Sequence, residues 1–153
     1  MSYWLFKTEP DAFSIDDLKK RGTQGEIWDG VRNYQARNML RDQVKVDDRV
    51  FIYHSNCETP GVVGIARVVE AGVVDPMQFN PESKYYDPGA KMDAPRWITV
   101  KVVYEKHLRQ TATLAAIKAH PGLQDMQLVK RGNRLSILPV SDEQWAVILN
   151  IVA

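Results

Sequence analysis

The chain has 153 residues, of which 44% are hydrophobic and 25% charged, and 20 Lys and Arg against 19 Asp and Glu give a net charge of +1. This length is typical of one compact domain whose core needs no disulfide or metal, so we expect a single domain over residues 1–153. The composition excludes intrinsic disorder. The near-neutral charge excludes a strongly basic, histone-like binder, although a local basic face is still possible.

The first two thirds of the chain carry alternating strand and helix signals. The aromatic-rich run from Tyr3 to Lys7 predicts a first strand, and Ser14 with Asp17 forms an acidic capping box for a helix that ends at Gly22. Apolar spacing and period-2 alternation predict the elements that follow: a helix over 34–41, and strands over 49–55, 61–69 and 97–105. The turn residues at 56–61 predict a hairpin between the first two of these three strands.

The last third adds a helix capped by Thr113 and stopped by Pro121, a strand over 135–140 and a final helix. Ser141 and Gln144 form the capping box of that helix. Strands outnumber helices, and short turns join neighbouring strands. We therefore predict an α+β fold with a curved, mainly antiparallel sheet or small barrel flanked by helices.

The stretch from Asp75 to Arg96 does not fit a regular element, because it contains four prolines. Compact domains seldom carry so long an irregular connection unless it is a lid or a binding loop. It also holds three aromatic residues, Phe79, Tyr85 and Tyr86, where polar residues are usual. This loop is therefore the first candidate for function.

Several classes of site are not supported by the sequence. The three histidines are far apart, and there is one cysteine, Cys57, so we expect no metal, no disulfide and no cofactor. Phosphate-loop glycine motifs are missing as well. The N-terminal residues do not resemble a signal peptide, and no apolar run is long enough for a membrane span. We expect a cytoplasmic protein, or a nuclear one in a eukaryote.

Catalysis by a nucleophile has one weak candidate. His54 and Ser55 are adjacent, but neighbours on a strand point to opposite faces, so they cannot act together. Ser55 could still use another base such as Asp29. No nucleophile-elbow motif supports this interpretation, and we expect no enzyme activity.

The four tryptophans differ in their surroundings. Trp4 and Trp145 lie on periodic elements and are predicted to be core residues. Trp28 instead stands before an Asp-Gly turn, close to Arg32 and Asn33. An indole beside such polar groups suits the recognition of a flat polar ring, although core packing is an equally good interpretation.

Several blocks of the sequence closely resemble the EVE domain family, in the same order and over almost the whole chain. They are Trp4–Asp11, Trp28–Asn38, Tyr53–Asn56, Pro60–Ala66, Tyr85–Pro88, Pro95–Trp97 and Gly132–Ser136. The chain departs from the family pattern at Asn133, where serine is common. The resemblance implies a PUA-like fold, similar to YTH domains, which read a methylated adenine in RNA through an aromatic cage. It also implies a reader of modified bases, with modified cytosine in DNA favoured over RNA.

The resemblance also implies site residues. Segments that match the pocket of the related YTH pattern contain Lys7, Thr8, Trp28, Tyr53, His54 and Ser55. Asp29, Asn33 and Ser55 have the chemistry to read the edge of an inserted base, whereas Trp97 fits either the pocket or the core. The expected contacts to the nucleic-acid backbone are Arg32, Arg96, Lys130, Arg131 and Arg134, each of which could equally be a solvated surface residue.

Two other functions fit the same residues. A small enzyme acting on a modified nucleoside or base would need a titratable group at the pocket, and Asp29, His54 and Lys7 are the candidates. A protein-interaction adaptor would instead use the loop over 75–96. The sequence does not indicate the oligomeric state.

Overall fold

Six strands and four α-helices make up the computed structural model, which describes residues 1–153. The strands are β1 (Tyr3–Thr8), β2 (Glu26–Ile27), β3 (Arg49–His54), β4 (Gly61–Val74), β5 (Ile98–Thr113) and β6 (Ile137–Val140). The helices are α1 (Ile15–Lys20), α2 (Tyr34–Asp42), α3 (Leu114–Ala119) and α4 (Asp142–Ile151). Short 3₁₀ helices cover Gly22–Gln24, Pro76–Phe79, Pro121–Leu123 and Gln127–Val129.

The strands form one open sheet in the order β2-β5-β4-β3-β1-β6. Four of the neighbouring pairs are antiparallel, and β1 and β3 are parallel, with Thr8 opposite His54. The predicted α+β fold with a mainly antiparallel sheet is therefore confirmed, and the sheet does not close into a hydrogen-bonded barrel. All four strands expected in its centre are present, and β4 and β5 continue past their predicted ends through several register shifts.

Hydrophobic residues are buried on both faces of the sheet. Trp4 and Phe6 of β1 face a cluster covered by α1 and α2, while Leu5 between them faces a second cluster covered by α3 and α4. Successive side chains of a strand point to opposite faces, so a strand buried on both sides is apolar throughout. Trp4 and Trp145 are core residues as predicted, with 3% and 6% of their surface exposed.

The helix starts agree with the expected capping residues. Ser14 and Ser141 each complete a capping box, and the Thr113 hydroxyl accepts a hydrogen bond from Ala116 N–H. Asn33 caps α2, since its side-chain oxygen accepts a hydrogen bond of 3.0 Å from Ala36 N–H. Such caps pair backbone donors that the first helical turn leaves without a partner.

Candidate nucleic-acid interface

A cavity of about 810 Å³ opens where the parallel strands β1 and β3 end. Because both strands run in the same direction, Lys7 and Thr8 of β1 meet Ser55, which directly follows β3. Ser55 N–H donates to the Thr8 carbonyl over 3.0 Å, which fixes the two segments side by side. We refer to this space as the first cavity. Its volume is in the range of about 300–1,000 Å³ usual for small-ligand sites.

Trp28 forms the buried aromatic wall of the first cavity and has 7% of its surface exposed. Its backbone is held to β5 on both sides: its N–H donates to the Val100 carbonyl, and its own carbonyl accepts the Thr99 hydroxyl over 2.6 Å. The indole packs against Phe6 and edge-on against Phe13. Trp28 is thus both a core residue and a cavity residue, so the two interpretations of its sequence context do not exclude each other.

Tyr85 forms a second aromatic wall of the first cavity and comes from the proline-rich loop. Its ring lies directly over Gly30, where an added Cβ would stand 2.7 Å from the ring, and Gly30 has a φ of +82°. Only glycine adopts this backbone conformation without strain while leaving room for the ring. The Asp-Gly turn after Trp28 therefore lets the two aromatic walls face one cavity.

Arg32 holds Tyr85 in this position. Its guanidinium donates to the Tyr85 carbonyl over 3.0 and 2.8 Å and to the Asp75 carboxylate over 2.9 Å. Asp75, which is 1% exposed, also accepts hydrogen bonds from Gly30 N–H and Met77 N–H. These contacts join the turn after Trp28 to Asp75, at the start of the loop, and to Tyr85 in its middle.

The rest of the loop over 75–96 is held by buried polar groups. The fully buried Gln78 donates to the carbonyls of Asp75 and Trp97 and accepts from the N–H groups of Arg96 and Trp97. The Trp97 indole N–H donates to Asp87 over 2.8 Å. Buried polar groups with all their partners in place fix one conformation of a segment. The loop therefore borders the cavity as a fixed wall.

Two polar groups at the cavity carry altered pKa values. Loss of hydration raises the pKa of Asp29, and the nearby carboxylates of Asp75 and Glu26 raise it further. Burial lowers the pKa of Lys7, whose Nζ lies 5.9 Å from the centre of the Tyr53 ring. Such groups can exchange hydrogen bonds and protons with a polar ligand.

The structure brings five of the expected pocket residues to the first cavity: Lys7, Thr8, Trp28, Asp29 and Ser55. The other four lie elsewhere. Asn33 caps α2, and Trp97 stacks on Tyr34 at a centroid distance of 4.9 Å. His54 Nε2 accepts Ile15 N–H over 3.1 Å, on the opposite side of β3 from Tyr53.

Tyr53 borders a different space, a cavity of about 630 Å³ that we call the second cavity. Burial, followed by the nearby Cys57 thiol, raises the pKa of Tyr53 to about 12, so this phenol stays protonated. Lys7 lines both cavities. Of the nine residues expected at one pocket, five therefore line the first cavity, Tyr53 lines the second, and Asn33, His54 and Trp97 line neither.

The five expected backbone contacts also separate into groups. Arg32 and Arg134 line the first cavity, and Lys130 and Arg131 line the second. Arg32 is engaged with Asp75 and Tyr85, and Arg96 lies 3.3 Å from the Asp87 carboxylate. Two of the five arginine and lysine residues thus have carboxylate partners within the chain.

Sequence reasoning did not place Tyr85, Phe13 and Ser136 at the site, although all three line the first cavity. A signal for Tyr85 was present, namely an aromatic residue in an otherwise polar loop. Ser136 had no local signal, because it reaches the cavity only through the pairing of β6 with β1, where Lys7 N–H donates to its carbonyl.

Two further findings concern membrane-spanning helices and metal sites. No helix combines the length and the apolar character that a membrane crossing requires. No group of three or more His, Cys, Asp or Glu side chains is arranged to hold a metal ion.

The family model described as the EVE domain matches residues 2–151. The chain belongs to the EVE domain family. Mouse thymocyte nuclear protein 1 is 40% identical to it, over 98% of this chain and 73% of that protein. The EVE assignment expected from the sequence blocks is therefore confirmed.

Solved structures share the whole EVE fold. One from Pseudomonas putida is 44% identical, with a TM-score of 0.93 over 99% of this chain and 100% of that one. Human THYN1 protein, solved in complex with DNA containing 5-methylcytosine, is 38% identical, with a TM-score of 0.93 over 99% of this chain and 97% of that one. The PUA-like α+β fold is confirmed by these matches.

Proposed function

We propose that this EVE domain protein is a non-catalytic reader of DNA that takes one flipped, modified base, a modified cytosine, into the first cavity. The observation that carries this proposal is the composition of that cavity, where two aromatic walls flank polar groups. An extruded base offers its π-face to aromatic side chains and its edge to hydrogen-bonding groups. Trp28 and Tyr85 would supply the aromatic surface, and Asp29 and Ser55, which line the same cavity, would read the edge.

The chemistry of cytosine fits these groups. Its exocyclic amino group is a donor, which a carboxylate such as Asp29 accepts, and its carbonyl and ring nitrogen are acceptors for hydroxyl and ammonium donors. A buried methyl group contributes roughly 0.8 kcal/mol, so a methyl alone discriminates modestly, and the shape of the cavity must add to it.

The relatives support this proposal. Human THYN1 protein has been solved with DNA containing 5-methylcytosine, and its fold matches this chain over almost its full length. The vertebrate relatives are named as nuclear proteins, in keeping with the compartment expected if the source is a eukaryote. The cations around the cavities, including Arg134, Lys130 and Arg131, would contact the phosphates that flank the base.

The enzyme alternative receives less support. Of its three candidate groups, His54 is bonded to the start of α1, away from the first cavity. Asp29 and Lys7 do line the cavity, so turnover is tested directly by recovering the modified oligonucleotide after prolonged incubation. Recovery of unchanged ligand at full stoichiometry is expected, and any altered base would contradict the non-catalytic proposal.

A binding panel tests the choice of base. It comprises short DNA and RNA oligonucleotides with 5-methylcytosine, 5-hydroxymethylcytosine, N6-methyladenine or no modification. We expect the tightest binding to modified cytosine in DNA. Equal affinity for modified and unmodified strands would overturn the reader proposal, and preference for methyladenine would overturn the choice of base.

Replacing the two aromatic walls tests the cavity itself. Base–aromatic stacking is worth about 1–3 kcal/mol, so Tyr85→Ala should reduce affinity for the preferred oligonucleotide by about 5- to 150-fold. Tyr86→Ala is the matched control, since Tyr86 is 43% exposed and does not line the cavity. Trp28→Ala should weaken binding in the same range, but it also removes a core ring at a cost of about 3–5 kcal/mol, so its folding is followed by thermal unfolding.

A folded Tyr85→Ala variant that keeps the wild-type affinity and preference would contradict the aromatic-wall assignment. So would an equal loss of affinity in Tyr86→Ala, because the effect would then come from the loop and not from the cavity.

A further inference from the structure

The second cavity adjoins the first and is lined by a different set of elements. Its walls come from α3, from the 3₁₀ helix over Gln127–Val129 and from the turn that follows that helix. Tyr53 and Leu128 form part of its floor, and both are buried. Lys7 stands between the two cavities and lines both.

The charged side chains that line the second cavity are all positive. Four cationic residues line it and no carboxylate does: Lys7, Lys118, Lys130 and Arg131. The eight ion pairs of the protein involve none of these four residues. The first cavity differs in this respect, because Glu9, Glu26 and Asp29 accompany its cations.

Lys7 is the most informative of the four. Its side chain is half-buried and makes no hydrogen bond to any acceptor of the protein, and its Nζ lies 5.9 Å from the centre of the Tyr53 ring. Partial loss of hydration disfavours the charged form of Lys7 and lowers its pKa, whereas its ammonium group stays within reach of a ligand. An anion bound beside Lys7 would supply the missing partner.

Three further features of the second cavity bear on anion binding. Gln124 donates to the carbonyls of Lys118 and His120 over 3.0 and 2.8 Å, which fixes the end of α3 against the rim. Gly132 has a φ of +81° and nothing within 4 Å of an added Cβ, so the turn is open to an approaching ligand. The apolar floor lowers the local dielectric and strengthens the attraction between the cations and an anion.

We propose that the second cavity is a phosphate site for the DNA strand whose base enters the first cavity, with Lys7 shared between base and backbone. This inference rests on the proposed function. It adds Lys118 and Lys7 to the backbone contacts and locates Lys130 and Arg131 in one site. It further implies that the protein reads the base and one stretch of flanking phosphates as a single unit.

The test compares two charge-matched double variants of the full chain. Lys118→Gln/Lys130→Gln removes two cations from the second cavity, and Lys91→Gln/Lys106→Gln removes two exposed lysines that line neither cavity. Affinity for the preferred oligonucleotide is measured across a range of salt concentrations. Each bound phosphate contributes about −0.7 to −0.9 to the log–log slope, so the first variant should flatten that slope by about this amount for each phosphate that it no longer binds. The control variant should keep the wild-type slope.

A second measurement locates the phosphates. Neutral methylphosphonate is placed at one position at a time on either side of the modified base. In the wild type, substitution at one or two flanking positions should weaken binding, and in Lys118→Gln/Lys130→Gln the same positions should have a smaller effect, because Lys7 and Arg131 remain.

The outcomes separate this inference from the proposed function. If both double variants keep the preference for the modified base and change the salt slope equally, the phosphate site is wrong while the reader proposal stands. If inorganic phosphate shifts the amide resonances of residues 130–133 but no methylphosphonate position is sensitive, the cavity takes a free anion, and the DNA assignment is overturned. If the wild type shows no preference for the modified base, the proposed function itself is refuted.

Discussion

Two irregular segments border the cavities, and they use their polar residues in opposite ways. The loop over 75–96 pairs two of its carboxylates with arginines of the chain: Asp75 with Arg32, and Asp87 with Arg96. The turn over 130–134 contains three cations, and none of them has a carboxylate partner. A basic residue therefore cannot be assigned to nucleic acid from its position in the sequence alone. Pairing within the chain holds a segment in place, whereas unpaired charge is available to a ligand.

The largest effect should come from breaking the ion pair of Asp75 with Arg32. Asp75→Ala removes the acceptor of three hydrogen bonds and leaves the largely buried Arg32 without a carboxylate partner. We expect a loss of about 2–4 kcal/mol in the free energy of unfolding, measured by urea denaturation.

Asp93→Ala is the control for that measurement, because Asp93 is exposed on the same loop and forms no ion pair. It should change stability by less than about 0.5 kcal/mol. Similar losses in both variants would mean that the loop is not held by its buried carboxylate.

A smaller effect is expected from substituting Gly30, against which the Tyr85 ring packs. Gly30→Ala forces a side chain into a left-handed backbone conformation at a cost of about 1–2 kcal/mol and pushes its Cβ against the Tyr85 ring. Affinity for the modified oligonucleotide should fall more than stability explains. Gly72→Ala is a suitable control, because Gly72 has a φ of +68° but nothing within 4 Å of an added Cβ. Equal loss of affinity in the two variants would contradict a role for the close contact between Gly30 and the Tyr85 ring.

The contrast between paired and unpaired cations can be sharpened with single substitutions. Arg131→Gln should flatten the salt slope of binding by about 0.7–0.9, whereas Arg96→Gln should change it less, because Asp87 already compensates Arg96. Both side chains are at the surface, so folding should be preserved in each. A larger change in the salt slope for Arg96→Gln than for Arg131→Gln would contradict the inference that the turn over 130–134, and not the loop over 75–96, supplies the free cations.

The smallest effect concerns pH and lies outside both segments. Burial lowers the pKa of His54, with Asp16 opposing that shift and His107 adding to it. The unfolded chain therefore binds a proton here more readily than the folded one, and His54 contributes stability that is complete above its ordinary pKa of 6.5 and lost as the pH falls below it.

In His54→Gln this part of the pH dependence should vanish, as measured by urea denaturation between pH 7 and pH 5. An unchanged profile would show that other groups account for the acid sensitivity.

Most of the fold could be predicted because its signals are local. Capping residues such as Ser14 and Ser141 and the alternation along β3 each act within a few residues. The parallel pairing of β1 with β3 had no such signal, since the sequence predicted a mainly antiparallel sheet without indicating which strands are neighbours. That pairing decides which strand ends meet, and hence which residues share a cavity.

The same reason explains why only some of the expected pocket residues line one cavity. Lys7, Thr8 and Ser55 lie at the ends of the two parallel strands and do meet. His54 and Tyr53 are neighbours in sequence, but the alternation of the strand sends them to opposite faces of the sheet. No pattern near Arg32 or Arg96 indicated that their partners would be Asp75 and Asp87, because these contacts depend on how the loop folds back.

The position of β1 inside the sheet has a consequence for the synthesis of the protein. β1 emerges first from the ribosome, yet its neighbours are β3 and β6, and Tyr3 is paired with Val140. Contacts between residues so distant in sequence form slowly, and until β6 arrives one edge of β1 has no partner. The nascent chain therefore carries a strongly hydrophobic strand with one unpaired edge until β6 has been synthesised. Ser136 and Arg134 reach the first cavity only with β6, so binding competence is acquired in the last stage of folding.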